Sequence, residues 1–172
     1  MSERAGNQQI GKGMILAAML LALGGLTWFF SGALERRDNP NRQLQTSLSN
    51  GQAVVELAQN RQGHYLAPGL INGEPVTFLL DTGATNISVP GELAERIGLQ
   101  RGAPLPTLTA AGQVTTYATR LQSVRLGEIE LHDVRASINP HMSGDGVLLG
   151  MSFLRALDFE QRDGRLIIRQ RR

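Results

Sequence analysis

From Met14 to Leu34 the chain reads MILAAMLLALGGLTWFFSGAL, twenty-one residues without a charge, with Lys12 before them and Glu35-Arg36-Arg37 after. Such a run has few places to go: a bilayer, a signal-peptide core or a buried helix. At a helical rise of about 1.5 Å per residue it reaches roughly 30 Å, the hydrocarbon thickness of a membrane. Trp28-Phe29-Phe30 near its far end suit an interfacial aromatic anchor. The small residues Ser31-Gly32-Ala33 resemble a signal-peptidase site, but the run exceeds the usual signal core, which favours a retained single-pass anchor. Two basic residues precede it (Arg4, Lys12) and three come after it (Arg36, Arg37, Arg42), so charge leaves the orientation undecided. Short signal anchors commonly export the domain behind them, which places the rest of the chain outside the inner (plasma) membrane. The expected organisation is a short tail over 1–13, a transmembrane anchor over 14–34, a polar linker over 35–52 containing Pro40, and a globular domain over 53–170.

Charge bears on partners only once it is located. Residues 1–50 hold five basic and three acidic side chains; removing these from totals of 17 and 15 leaves twelve of each for the remainder. The globular part is therefore formally neutral, with scattered Arg, and offers no clustered surface for phosphates; nucleic acid is not an expected partner. With no Cys, disulfide scaffolds, cysteine zinc sites, iron–sulfur clusters and thiol catalysis are excluded. His64, His132 and His141 have no metal-ligand spacing, and no Gly-x-Ser-x-Gly elbow surrounds any Ser, so neither a metal nor another cofactor is expected, nor a serine hydrolase.

After Ala53, short apolar runs recur between turn signals, and the 20 Gly, 7 Pro and 5% aromatic content favour turns and strands over long helices. The runs are Val54–Leu57, Tyr65–Ile71, Val76–Leu80, Ile87–Val89, Thr107–Thr109, Val114–Leu126, Ile129–Ile138, Val147–Gly150 and Phe159–Ile168. Asn72-Gly73 and Asp163-Gly164 supply positive φ cheaply and mark hairpins. Residues 91–98 (GELAERIG) read as a short helix stopped by Gly98, and Met151–Leu157 as a second helical turn. In Val76–Leu80 alternation puts Val76, Phe78 and Leu80 on one face and Thr77, Leu79 and then Asp81 on the other.

Asp81 is the residue that asks for a reason. A carboxylate directly after an apolar strand is costly unless it is hydrogen-bonded. In Asp81-Thr82-Gly83-Ala84 a hydroxyl stands beside it, and Gly83 lets the backbone turn and present an N–H to it. Asp-Thr-Gly alone is weak; its setting, after an apolar strand and with Leu148-Leu149-Gly150 leading into a helix later, carries the inference.

On these residues the chain resembles the retropepsin-like aspartic proteases. More narrowly, residues 63–90 (GHYLAPGLINGEPVTFLLDTGATNISVP), 93–99 (LAERIGL) and 148–157 (LLGMSFLRAL) look like a membrane-anchored bacterial branch. The resemblance covers nearly all of 53–169. It implies an all-β, single-lobe, closed β-barrel-like domain with one or two short helices. It also implies Asp81 as the catalytic carboxylate, Thr82 in a hydrogen-bonded grip beneath it, Gly83 and Ala84 lining a substrate cleft, and Gly150 packed under the active-site loop. The hairpin around Thr107–Val114, with Thr109-Ala110-Ala111-Gly112 at its tip, would be a flap over an extended peptide; an ordinary β-turn is the plain alternative. Thr85-Asn86 replace acidic residues of the retroviral enzymes and Met151 an Arg, so their interface salt bridges are not implied.

Hydrolysis by this apparatus needs two carboxyls sharing one proton. The chain holds one Asp-Thr/Ser-Gly motif, since Asp145-Gly146 and Asp163-Gly164 lack the hydroxyl residue. The expectation is a homodimer pairing two Asp81 across a twofold axis, acting as an aspartic endopeptidase on extended polypeptide. A non-catalytic peptide-binding module and a membrane-tethered structural adaptor are the rival readings; Asp81→Asn should end proteolysis in the first case while sparing peptide affinity.

Overall fold

The computed structural model describes residue 14 and residues 17–30, 39–49, 51–109 and 112–171. The chain divides into two units, Met1–Asp38 and Asn39–Arg172. In the first, residues 17–30 are helical, and Phe29 meets Phe30 edge-on at 5.7 Å between ring centroids. Among the described residues no helix is long and apolar enough to cross a membrane. The span expected over 14–34 is therefore not supported among them; residues 15–16 and 31–34 of that run lie outside the described residues. The Ser31-Gly32-Ala33 pattern lies outside the described residues.

The second unit is built from eleven strands and two short helices: β1 (Gln45–Ser49), β2 (Gln52–Ala58), β3 (Tyr65–Ile71), β4 (Glu74–Leu80), β5 (Ile87–Pro90), α1 (Gly91–Arg96), β6 (Pro104–Thr109), β7 (Gly112–Leu126), β8 (Ile129–Asn139), β9 (Gly146–Leu149), α2 (Met151–Leu154), β10 (Leu157–Arg162) and β11 (Arg165–Gln170). The Asn72-Gly73 and Asp163-Gly164 turns form as expected, with φ of 52° and 88° in the first and 49° and 72° in the second.

One sheet runs β3-β4-β9-β5-β8-β7-β6, and β3 also pairs with β7. That extra pairing, Leu70 opposite Arg125 and Ile71 opposite Val124, closes six strands into a ring and leaves β6 hanging from β7. Closure removes sheet edges, and the inward side chains fill the interior: Phe78, Ile87, Leu121, Ile129, Ile138 and Leu149 are fully buried, with Phe153 and Leu154 of α2 against them. Val76, Phe78 and Leu80 do face inward.

A second sheet, β1-β2-β11-β10, joins the two ends of the unit. It corrects the linker expected over 35–52, because residues 45–49 pair with β2 throughout their length. Every residue of β1 is exposed, so no apolar period exists there to be read; backbone hydrogen bonds to β2 make the strand. Asn41, buried, ties the preceding segment down: its amide donates to the carbonyls of Ala58 (2.8 Å) and Leu66 (2.7 Å) and its carbonyl accepts from Ala58 N–H (2.7 Å). The helical turn expected over Met151–Leu157 stops at Leu154, since Leu157 begins β10 opposite Gln170.

Candidate active site

The topology dictates where Asp81 goes. Strand β9 lies between β4 and β5, parallel to the first and bridged to the second at Ser88–Leu148. The connection from β4 to β5, residues 81–86, must therefore cross the end of β9. It does so stapled down: Asp81 N–H donates to Leu149 O (3.2 Å), Met151 N–H to Ala84 O (2.8 Å), and Ile87 N–H to the Ser152 hydroxyl (3.0 Å). The crossing leaves no room over Gly150. A Cβ there would sit 2.5 Å from Ala84 O and 2.4 Å from Asn86 O, so only glycine lets the loop pass.

Within the loop, Gly83 N–H donates to Asp81 Oδ1 at 2.8 Å, and a turn closes from Ala84 N–H to Asp81 O at 3.2 Å. The carboxylate is thus held by the backbone two residues on, at a half-buried position. Thr82 and Gly83 are exposed and Ala84 half-buried. The Thr82 hydroxyl makes no hydrogen bond among the described residues, so within one chain it does not grip the loop. Asp81, Thr82, Gly83, Ala84 and Gly150 are brought together; Ser152, whose hydroxyl receives Ile87 N–H, joins them without a motif that could have announced it.

The hairpin of β6 and β7 stands apart from the ring. From Gly112 to Thr116 β7 pairs only with β6, and pairing with β8 begins at Tyr117. At its root Gly102 N–H donates to Ala118 O (2.8 Å) and Ala118 N–H to Ala103 O (2.9 Å). Along its length the Thr107 and Thr116 hydroxyls meet at 2.7 Å, and near the tip Thr109 donates to Gly112 O at 2.8 Å. Leu108 is 85% exposed. Ala110 and Ala111, expected at the tip, lie outside the described residues. A ribbon held at one end by a closed barrel, with one face partly buried at Thr107, Val114 and Thr116 and Leu108 exposed near its tip, has the geometry a flap needs.

Beside the loop runs a groove of about 880 Å³ whose lining includes Thr85 and Asn86 together with Leu105, Ala118 and Arg120. It joins the segment after Asp81 to the root of the hairpin.

Comparison with known proteins agrees with this architecture. A family model described as "gag-polyprotein putative aspartyl protease" matches residues 67–156. A retropepsin-like aspartic protease from Rickettsia conorii is 27% identical with a TM-score of 0.59, over 74% of this chain and 96% of that one. The EIAV protease complexed with the inhibitor HBY-793 is 22% identical, with a TM-score of 0.47, over 58% and 92% of the two chains. An "Uncharacterized protein in cobV 5'region" from Sinorhizobium sp. is 33% identical over 125 residues, 71% of this chain and 54% of that protein. The chain spans about half the length of this curated relative. With a closed barrel, an Asp-Thr-Gly loop crossing a glycine and a family model over more than half its length, the chain belongs to the retropepsin-like aspartic proteases.

Proposed function

We propose that the chain is an aspartic endopeptidase that works as a homodimer, two copies of Asp81 forming one dyad. The observation that carries this reading is the Asp81 loop: a carboxylate fixed by Gly83 N–H on a loop stapled across β9, with no second Asp-Thr/Ser-Gly in the chain to complete a pair. Two such loops meeting at a twofold axis would bring like charges together, so the pair would keep one proton. The ionised member would take a proton from a water whose oxygen attacks the peptide carbonyl carbon. The protonated member would hydrogen-bond the carbonyl oxygen and neutralise it as the tetrahedral diol forms. Collapse then breaks the C–N bond as the amine takes up a proton. Thr82, exposed and without a hydrogen-bond partner among the described residues, would serve the paired loops; Gly83 and Ala84, and Thr109 to Gly112 at the hairpin tip, would line the substrate cleft.

The uncharged run 14–34 supports attachment to the inner (plasma) membrane, with the peptidase on the extracytoplasmic side. Resistance of the chain to alkaline extraction from membranes, together with external protease access to residues 39–172, tests this. For the activity, the full chain is incubated with an unfolded protein with and without pepstatin, beside Asp81→Asn. Pepstatin-sensitive cleavage that the variant lacks is expected; equal cleavage by both would overturn the proposal, and peptide binding without cleavage would make it a peptide-binding module.

A further inference from the structure

Three arginines, Arg101, Arg120 and Arg135, line the groove beside the Asp81 loop, and no Asp or Glu does. Two of them are engaged away from it. Arg101 donates to Glu95 at 2.6 Å and lies 5.5 Å over the Tyr117 ring, while Arg120 clasps the Asp133 carboxylate and also donates to Asp133 O at 3.0 Å. Arg120 thereby holds the Asp133 carboxyl below the ordinary range, and the charge of Arg135 acts on it in the same direction. Asp133 faces the adjoining groove, which shares Thr85, Asn86, Arg120 and Arg135. Arg135 differs: it is exposed and makes no ion pair or side-chain hydrogen bond among the described residues, its charge acting on Asp133 only at longer range. A guanidinium presents a planar fork of donors suited to a carboxylate.

The groove lies within reach of the reacting bond. Thr85 comes four residues after Asp81, which limits their Cα separation to about 15 Å. An extended peptide covers that in roughly four to five residues at about 3.3 Å each. We propose that Arg135 is a specificity residue, and that the groove takes an acidic side chain of the substrate within about four residues of the scissile bond. Because a twofold dimer carries two such grooves, the preference should appear on both sides of the cut. This rests on the peptidase reading for its position, but the recognition it describes can be measured without turnover.

The full chain bearing Asp81→Asn is titrated with fluorescent ten-residue peptides that differ only by Glu or Gln at single positions flanking the centre. Cleavage of the same peptides by the unsubstituted chain is followed in parallel. Glu should bind on the order of fivefold tighter than Gln at one position on each side, less so as salt is raised. Adding Arg135→Gln should remove the difference, and Arg135→Glu should transfer the preference to Lys; Arg61→Gln, on an exposed turn, should leave it intact. Equal binding of Glu and Gln throughout, a preference that survives Arg135→Glu, or no peptide binding at all would overturn the proposal. Charge-selective binding without cleavage would sink the peptidase reading alone, and cleavage blind to charge would sink this one alone.

Discussion

At Gly150 a missing side chain decides whether the Asp81 loop can exist. Replacing it with Ala forces Cβ against two backbone carbonyls of the loop, and neither can swing aside as a flexible side chain would. Gly150→Ala should therefore cost about 1–3 kcal/mol in urea unfolding, with activity falling further than stability because the loop shifts. Gly146, four residues earlier with nothing within 4 Å of a built Cβ, is the control: Gly146→Ala should stay within about 0.5 kcal/mol. Asp81→Asn should lower kcat by more than about 100-fold with unchanged unfolding, since the amide can neither take nor give the shared proton. At this scale the sequence was informative about Asp81, Gly83 and Gly150, whose types and order are unusual for a strand end. It was silent on Ser152 and Asn41, whose importance comes from what the folded chain places opposite them.

The elements divide by how their stability is supplied. Strands facing the barrel interior announce themselves through alternation, as in β4, while β1 is all exposed and exists because β2 offers it backbone partners. Asn41 completes that arrangement with three hydrogen bonds spanning two strands. Asn41→Ala should destabilise the unit by about 2–3 kcal/mol, measured by chemical denaturation, because buried backbone groups lose their partners. A chain begun at residue 53, where a linker over 35–52 would end, should be less stable still, since it also loses β1. The β6–β7 hairpin behaves differently: Leu108 is 85% exposed. Leu108→Ser should leave the melting temperature within a degree or two while raising KM for peptides severalfold, if the hairpin closes over substrate; an unchanged KM would count against the flap.

For the whole molecule the question is stoichiometry. The proposed dyad takes one Asp81 from each of two copies, and on that reading activity should rise with the square of concentration at low dose and become linear once dimers saturate. Mixing equal amounts of the chain and its Asp81→Asn form should leave about a quarter of the dimers with two intact carboxylates, and activity should fall accordingly once subunits exchange. Retention of half would show that single chains act alone.

The amino-acid sequence by itself determined the all-β class, most strand positions and both Gly-containing hairpin turns, and it marked Asp81 as a carboxylate at a strand end, because these depend on side-chain alternation, local backbone preference and residue type over a few neighbours. Only the tertiary structure decided that β3 meets β7 to close the barrel, that β9 comes between β4 and β5 so the Asp81 loop must cross Gly150, that residues 45–49 are a strand, and that Arg101, Arg120 and Arg135 share a groove. Each of these is a meeting of segments far apart along the chain, fixed by the packing of one shared core, and no local pattern encodes it.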